Sequence, residues 1–351
     1  MKKWPILGAI VCALGLCGVL IVLWVTADRP PAAQSSEPPV LQTVLHTPTE
    51  ATAAPTTVPE TVIPEPTYPV YEDPDESQLT CRHAFVYDLT YDRLLYTYGD
   101  QTESISPASL TKLMTCYVAL QYLDPDTVIQ VGEEAGWIAP DSSIAAIQPG
   151  NMLTVEMITQ GTLMQSGNDG AYVLAVAAGR VIAKDPALDG RTALATFMAE
   201  VNAQLRQLGL KNTHFVTPDG YDAEGHYTTA SDLLQIARIA VTQPMIVRFA
   251  AMEKDVVTYE SGENYTWVNT NWLLRQTDFP DLYCPEAMGL KTGGTRKAGN
   301  CIIATFDTGD RILMIGVLGC EIIQQRFTDA RFLFEHFRTP GKTQTETMPT
   351  E

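Results

Sequence analysis

The chain has 351 residues, with 41 acidic against 23 basic side chains and a formal charge of −18; its pI is near 4.6. Length alone suggests about two domains of ~150 residues, but the charge is unevenly spread: residues 1–28 are net +1, residues 29–76 are net −7 with 11 of the 23 prolines, and residues 77–351 are net −12. This balance excludes a nucleic-acid binder of the basic-patch kind, because phosphate contacts need clustered Lys and Arg.

After Lys2 and Lys3, the segment Ile6 to Ala27 carries no charge over 22 positions. That covers the ~20 residues of helix needed to cross ~30 Å of hydrocarbon, and the two lysines predict an N-terminus inside with the rest of the chain outside. Two readings stay open: an uncleaved single-pass membrane anchor, or a secretory signal cleaved after Val25-Thr26-Ala27. Both export the remainder of the chain. Leu16 before Cys17 speaks against a lipid anchor, which needs a small residue there. Residues 29–76 are dominated by Pro, Thr, Ala, Val and Glu, with Tyr68 and Tyr71 the only aromatics. Such a stretch buries too little apolar area to offset ordering entropy, so it reads as a disordered acidic stalk spanning at most about 150 Å. The expected order is therefore segment 1–28, stalk 29–76, one folded domain 77–338, and a polar disordered tail 339–351.

Within the domain, His83–Asp88 and Leu94–Tyr98 flank Leu89–Arg93 as a hairpin rich in aromatic and β-branched residues. Ser106 and Pro107 predict an N-cap and first helical position. Leu110, Leu113, Met114, Tyr117, Val118 and Leu120 then keep helical periodicity. Further helices are predicted over 154–164, from Asp169 to about Ala183, over 192–208, from Ser231 to about Ala240, and over about 327–337, with a strand and turn at 212–220. Cys301–Phe306 and Arg311–Leu318 read as two apolar strands. Strands, then helices, then strands and a closing helix indicate one α+β domain whose sheet pairs both chain ends.

Of the seven cysteines, Cys12 and Cys17 fall in the apolar leader, leaving Cys81, Cys116, Cys284, Cys301 and Cys320. None has the paired short spacing of a zinc site. Cys116 and Cys301 read as core, at least one thiol is left unpaired, and a disulfide involving Cys81 stays open.

Three short motifs carry chemistry. In Ser109-Leu-Thr-Lys112, positions i and i+3 share a helix face, so the amine can reach the hydroxyl. Serine needs an adjacent base to become a nucleophile, and lysine serves when desolvation or another cation lowers its pKa. Chance alone gives on the order of one Ser-x-x-Lys in such a chain, yet of the 11 serines only Ser109 has a lysine three residues on. In Ser166-Gly167-Asn168 a hydroxyl and an amide can relay a proton and hold a substrate amide; alone, the pair also fits an N-cap. Lys291-Thr292-Gly293, followed by Gly294, allows close backbone approach to a ligand, and alone fits a glycine turn between strands.

Together, and in this order, the three motifs resemble the active-site-serine penicillin-recognising enzymes. In detail Pro107-Ala-Ser-Leu-Thr-Lys-Leu-Met-Thr115, the Ser-Gly-Asn form of the second motif, Asn212–Gly220, Gly225–Ala230 and Lys291–Gly299 resemble the low-molecular-mass penicillin-binding proteins, the serine-type D-alanyl-D-alanine carboxypeptidases. The resemblance covers about residues 80–338. It implies a β-lactamase/transpeptidase-like α+β fold, with a central antiparallel sheet flanked by helices and an all-helical subdomain. It also implies removal of the terminal D-Ala from peptidoglycan stem pentapeptides through an acyl-enzyme. Ser109 would attack, Lys112 would take its proton, Ser166 and Lys291 would return a proton to the leaving residue, and Asn168 would bind the substrate backbone. The backbone N–H groups of Ser109 and Gly294 would form the oxyanion hole, and Thr292, Gly293, Gly294 and Arg326 would bind substrate, Thr292 and Arg326 receiving the carboxylate. Arg326 reads equally as a solvated arginine in a first helical turn, and His226 as a hydrogen-bonding turn residue. No cofactor, metal or nucleic acid is implied; β-lactam antibiotics would be covalent inhibitors. Gly294 stands where many relatives carry a larger side chain. Relatives also often carry a small β-rich domain and an amphipathic C-terminal anchor, which the polar residues 339–351 do not resemble.

Two other functions are weighed. A serine β-lactamase of this fold needs a deacylating glutamate near an asparagine between the second and third motifs; Glu200-Val-Asn202 is the nearest pair but lacks the spacing. A catalytically inactive wall-binding scaffold would be expected to have lost Ser109 or a lysine. The anchor reading has a direct check: N-terminal sequencing of native protein should find a start before Asp28 and recovery in the membrane fraction, whereas a start at Asp28 identifies a cleaved signal.

Overall fold

Two apolar runs near the C-terminus form the middle of the structure. Strands β9 (Gly299–Asp307) and β10 (Ile312–Cys320) pair antiparallel, and β10 pairs on its other side with β2 (His83–Asp88). Adding β3 (Arg93–Tyr98) and β8 (Ala287–Thr295) gives a five-stranded antiparallel sheet of order β3-β2-β10-β9-β8. The two chain ends are thus neighbours in one sheet, as the sequence predicts. The computed structural model describes residues 67–339 and 342–345. The apolar leader 1–28 and the stalk from 29 to 66 lie outside them, and among the described residues no helix is long and apolar enough to cross a membrane.

Alternation along the central strands explains why they read as unbroken hydrophobic runs: both faces are buried. Ala84, Val86, Ile302, Ala304, Phe306 and Ile315 point to one side, against Phe327, Leu333, Phe334 and Phe337 of helix α7 (Gln325–Phe337). Phe85, Tyr87, Ile303 and Met314 point to the other. There they meet the helices between β3 and β8: α1 (Thr111–Tyr122), α2 (Val155–Met164), α3 (Asn168–Ala183), α4 (Gly190–Gln207), α5 (Ala230–Ala240) and α6 (Pro244–Ala250). Each large side chain so buried stabilises by roughly 1.5–3 kcal/mol. Two small pairs, β4 (Val128–Gln130) with β5 (Met152–Thr154) and β6 (Lys254–Thr258) with β7 (Asn264–Val268), complete the helical side.

Several elements differ from the sequence prediction. Ser106 is not an N-cap: its hydroxyl donates to Asp222 Oδ1 at 2.7 Å, and Ala108–Leu110 form a 3₁₀ turn before α1. A distant carboxylate outcompetes the local cap. Residues 212–220 form no strand beyond the His214–Tyr227 bridge, because the side chains of Asn202 and Asp232, rather than a second strand, hold their backbone. Ser166 and Asn168 do not cap α3, whose first residue is Asn168 itself. Lys291-Thr292-Gly293 lies within β8 and is no turn between strands. Residues 67–76, placed in the stalk by composition, include strand β1 (Thr67–Val70), paired with β11 (Lys342–Thr345) from the expected tail. Tyr71 packs 5.0 Å from the Phe337 ring, and its hydroxyl meets Arg311; one aromatic suffices to dock a proline-rich segment. The domain therefore starts before residue 77. Cys81 is a free, buried thiol, as are Cys116, Cys284, Cys301 and Cys320. Burial, reinforced by Asp329 for Cys81 and Cys320, holds the pKa of these two thiols high.

Phe334 is fully buried and stacks on Phe306 at 4.5 Å. Phe334→Ala should lower unfolding free energy by about 3–5 kcal/mol, read from the urea midpoint.

Candidate active site

Ser109 occupies the 3₁₀ turn at the entrance to α1, and Lys112 is one residue into the helix. The i, i+3 spacing survives the tighter turn: Lys112 Nζ lies 2.8 Å from Ser109 Oγ. The same nitrogen donates to Asn168 Oδ1 at 2.7 Å and to the Asp219 carbonyl at 2.7 Å. Lys112 is 0% exposed. Burial lowers its pKa to about 8, against the weaker opposite pull of Asp219. The geometry suits a base: a neutral amine keeps two N–H bonds for the two carbonyl acceptors and aims its lone pair at the Ser109 hydroxyl.

The turn is held under strain. Ala108 has φ +50° and Ser166 φ +57°, both in the left-handed region that costs an L-residue about 1–3 kcal/mol. Gly220, at φ +83°, lets its loop pack against that turn, since a Cβ there would stand 1.9 Å from the Ala108 carbonyl oxygen. That oxygen also accepts from Thr111 Oγ1 at 2.9 Å. His226 completes this support. Its Nδ1 accepts the Val216 N–H at 3.0 Å, which leaves Nε2–H to donate to Thr111 Oγ1 at 3.1 Å. Burial pushes the His226 pKa down to about 4, so the ring is neutral. It is a turn residue, as its sequence context suggests, and it supports the turn that carries Ser109.

Asn168 reaches the site from the α2–α3 junction. Its Nδ2 donates to Ser142 Oγ at 2.8 Å and its backbone N–H to the Ser143 carbonyl at 2.9 Å. Asp169 pins that loop by accepting the N–H groups of Ala145 and Ile147 at 3.0 and 2.9 Å. Sequence reasoning missed Ser142, Asp169 and the Asp219 carbonyl; an acid in a first helical turn was the only local signal.

The third motif comes from the sheet edge. Gly293 brings β8 against the nucleophile's turn, for a Cβ there would lie 3.2 Å from the Ser109 backbone nitrogen. Lys291 is 1% exposed and donates to the Thr292 carbonyl at 2.9 Å. Burial first, then the charges of Lys112 and Arg326, hold its pKa well below the usual lysine range. Thr292 Oγ1 shares a 2.6 Å hydrogen bond with Thr270 Oγ1, another residue sequence reasoning missed. Arg326, on α7, is 6% exposed and donates to the Gly293 carbonyl at 2.9 Å; its Nε has no partner. Burial lowers its pKa to about 10. A solvated arginine is thereby ruled out.

Ser109, Ser166, Thr292, Gly293, Gly294 and Arg326 line one cavity of about 580 Å³, and Ser109, Asn168 and Gly294 line a second of about 290 Å³ beside it. Lys112 and Lys291 lie buried below. A larger cavity of about 750 Å³, lined by residues such as Leu89, Tyr117 and Arg238, contains none of these groups. Glu200 and Asn202 are elsewhere, Glu200 bonded to Tyr122 and Asn202 to the backbone of Met198 and Phe215.

A serine–lysine pair on a helical segment, facing the edge strand of an antiparallel sheet that bears Lys-Thr-Gly, defines the penicillin-recognising serine enzyme class. The sequence profile of the D-alanyl-D-alanine carboxypeptidases matches residues 70–321, and the chain belongs to that family. It is 27% identical over 239 residues to the D-alanyl-D-alanine carboxypeptidase DacF of Bacillus subtilis, covering 67% of this chain and 56% of DacF. It is 31% identical over 248 residues to the D-alanyl-D-alanine carboxypeptidase of Streptomyces sp. strain K15, covering 67% and 79% of the two chains. The structure of penicillin-binding protein D2 from Listeria monocytogenes in its ampicillin-bound form superposes with a TM-score of 0.58 at 27% identity, covering 73% of this chain and 97% of that one. The chain thus spans little more than half the length of DacF.

With Lys112 as base, acylation requires its neutral form, so the rate must rise with pH up to a pKa near 8 and level off above. Second-order labelling by a fluorescent penicillin should fall about tenfold per pH unit below that point. Lys112→Arg should not label.

Proposed function

We propose that this protein is a serine-type D-alanyl-D-alanine carboxypeptidase acting on peptidoglycan stem peptides. The observation that carries this reading is the fully buried Lys112 amine 2.8 Å from Ser109 Oγ. Ser109 Oγ attacks the carbonyl carbon of the penultimate D-Ala while Lys112 Nζ takes its proton. The oxyanion is received by the backbone N–H groups of Ser109 and Gly294, donors of the kind worth about 3 kcal/mol or more each. Asn168 holds the substrate's amide. Arg326 and Thr292 hold the terminal carboxylate, and the proton passes by Ser166 and Lys291 to the leaving amine as the C–N bond breaks. Water then hydrolyses the Ser109 ester. A β-lactam enters the same site as an acylating inhibitor, a reading supported by the ampicillin-bound form of the Listeria relative.

Export fits the substrate. The uncharged run from Ile6 to Ala27 behind Lys2 and Lys3 supports a domain displayed outside the cell membrane, tethered by that segment or released after its cleavage.

Incubation with diacyl-L-Lys-D-Ala-D-Ala should release free D-Ala, and Ser109→Ala should reduce release by roughly 10⁴-fold or more. Release that survives the substitution removes Ser109 as nucleophile. Rapid penicillin turnover without D-Ala release identifies a β-lactamase instead.

A further inference from the structure

We infer that the pocket for the leaving residue accepts D-amino acids with side chains larger than the methyl of D-Ala, and that Gly294 opens it. This rests on the carboxypeptidase reading above. Residue 294 stands on β8 directly after Lys291-Thr292-Gly293. Its φ lies outside the left-handed region, and a Cβ built on it meets nothing closer than 3.7 Å. Neither backbone conformation nor crowding therefore demands glycine here. A side chain at 294 would start in ordinary van der Waals contact with Asn300 Oδ1 and the Gly299 carbonyl oxygen at 3.7 Å and with Arg326 Nη1 at 3.9 Å, and so would fill the space beside that guanidinium.

Arg326 marks which end of the substrate this space serves. Arg326 is 6% exposed, and its Nε lacks a partner. Among the described residues, no carboxylate pairs with it, whereas Arg275, in the wall of the same cavity, is matched by Asp278 at 2.6 Å. A buried cation left uncompensated fits an incoming carboxylate. The α-carboxylate and the side chain of the leaving residue spring from one carbon, so a carboxylate held at Arg326 puts that side chain beside residue 294.

The cavity's size and walls agree. About 580 Å³, a volume shared with the acyl side of the substrate at Ser109, falls in the range of ~300–1,000 Å³ that encloses whole small-molecule ligands. Trp272 and Ile323 give it an apolar wall, and Ile323 is 39% exposed. The chemistry is unchanged: Ser109 Oγ bonds to the acyl carbon, the C–N bond to the leaving residue breaks, its amine takes the proton, and water later cleaves the ester. Only the departing D-amino acid differs.

The test compares diacyl-L-Lys-D-Ala-X with X as D-Ala, D-Leu or D-Phe, measuring kcat/KM for release of X by the wild-type protein and by Gly294→Thr. Wild type should release D-Leu within ~10-fold of D-Ala, and Gly294→Thr should lower the D-Leu to D-Ala ratio by ~10-fold or more, the discrimination that a few added heavy atoms in a pocket supply. Rejection of D-Leu by more than that margin in wild type, with D-Ala still released, overturns the open pocket and leaves the carboxypeptidase intact. An unmoved ratio in Gly294→Thr removes Gly294 as its cause. No release from any substrate overturns the carboxypeptidase reading, and this proposal with it.

Discussion

One buried amine joins three parts of the chain. Lys112 Nζ bonds the turn at Ser109, the α2–α3 junction at Asn168 and the 215–221 loop through the Asp219 carbonyl. All three partners are neutral oxygens, so the lysine gains hydrogen bonds without the carboxylate that would fix its charge. In a protein of net charge −18, the cleft groups Lys112, Lys291 and Arg326, and among the described residues none of the three forms an ion pair. Desolvating a cation without a counter-ion is unfavourable by several kcal/mol, and burial accordingly lowers the pKa of both lysines. In the proposed mechanism the same unfavourable electrostatics supply both the base at Lys112 and the carboxylate site at Arg326.

Holding these groups together requires strain at the two joints that carry hydroxyls. Ala108 and Ser166 both take positive φ, the first held from distant segments and the second from the end of the helix that precedes it. Gly220 and the chain His226–Thr111–Ala108 secure the first. The bond from the Gly167 N–H to the Gly161 carbonyl at 3.2 Å ties the residue after Ser166 back to α2. The sheet contributes both rigidity and groups: β8 carries Lys291, Thr292 and Gly294, and its pairing along β9 holds that edge against Ser109. Function here resides in the site grafted on the scaffold, and the scaffold's share is to keep sub-ångström geometry.

Legibility in the sequence tracks the range of the interaction. Ser109 and Lys112 meet through a helical i, i+3 step, so their spacing revealed them, and the apolar periodicity of α1 and the runs of β9 and β10 revealed the core. Ser166, Asn168 and Lys291 became legible only as a set, since each alone has an ordinary structural use. Arg326 could not be separated from a surface arginine, because its burial depends on how α7 lies across β9 and β10, which brings its guanidinium to the Gly293 and Cys301 carbonyls. Ser142, Thr270 and the Asp219 carbonyl act through contacts more than 20 residues apart in sequence and left no local mark. The same long-range competition explains the misplaced cap at Ser106, whose hydroxyl turns to Asp222. Composition misjudged residues 67–76 because it weighs prolines and cannot see that Tyr71 has Phe337 to pack on.

The central claim is that burial without a carboxylate partner turns Lys112 into a base, and its ionisation can be read directly. Heteronuclear NMR of protein carrying ¹³C- and ¹⁵N-labelled lysine, with Lys112→Arg used to assign the resonance, gives the pKa of that amine in the resting protein. A midpoint near 8 is expected. A Lys112 amine that stays protonated up to the ordinary lysine value of 10.5 would contradict the claim, and the proton from Ser109 would then need another acceptor.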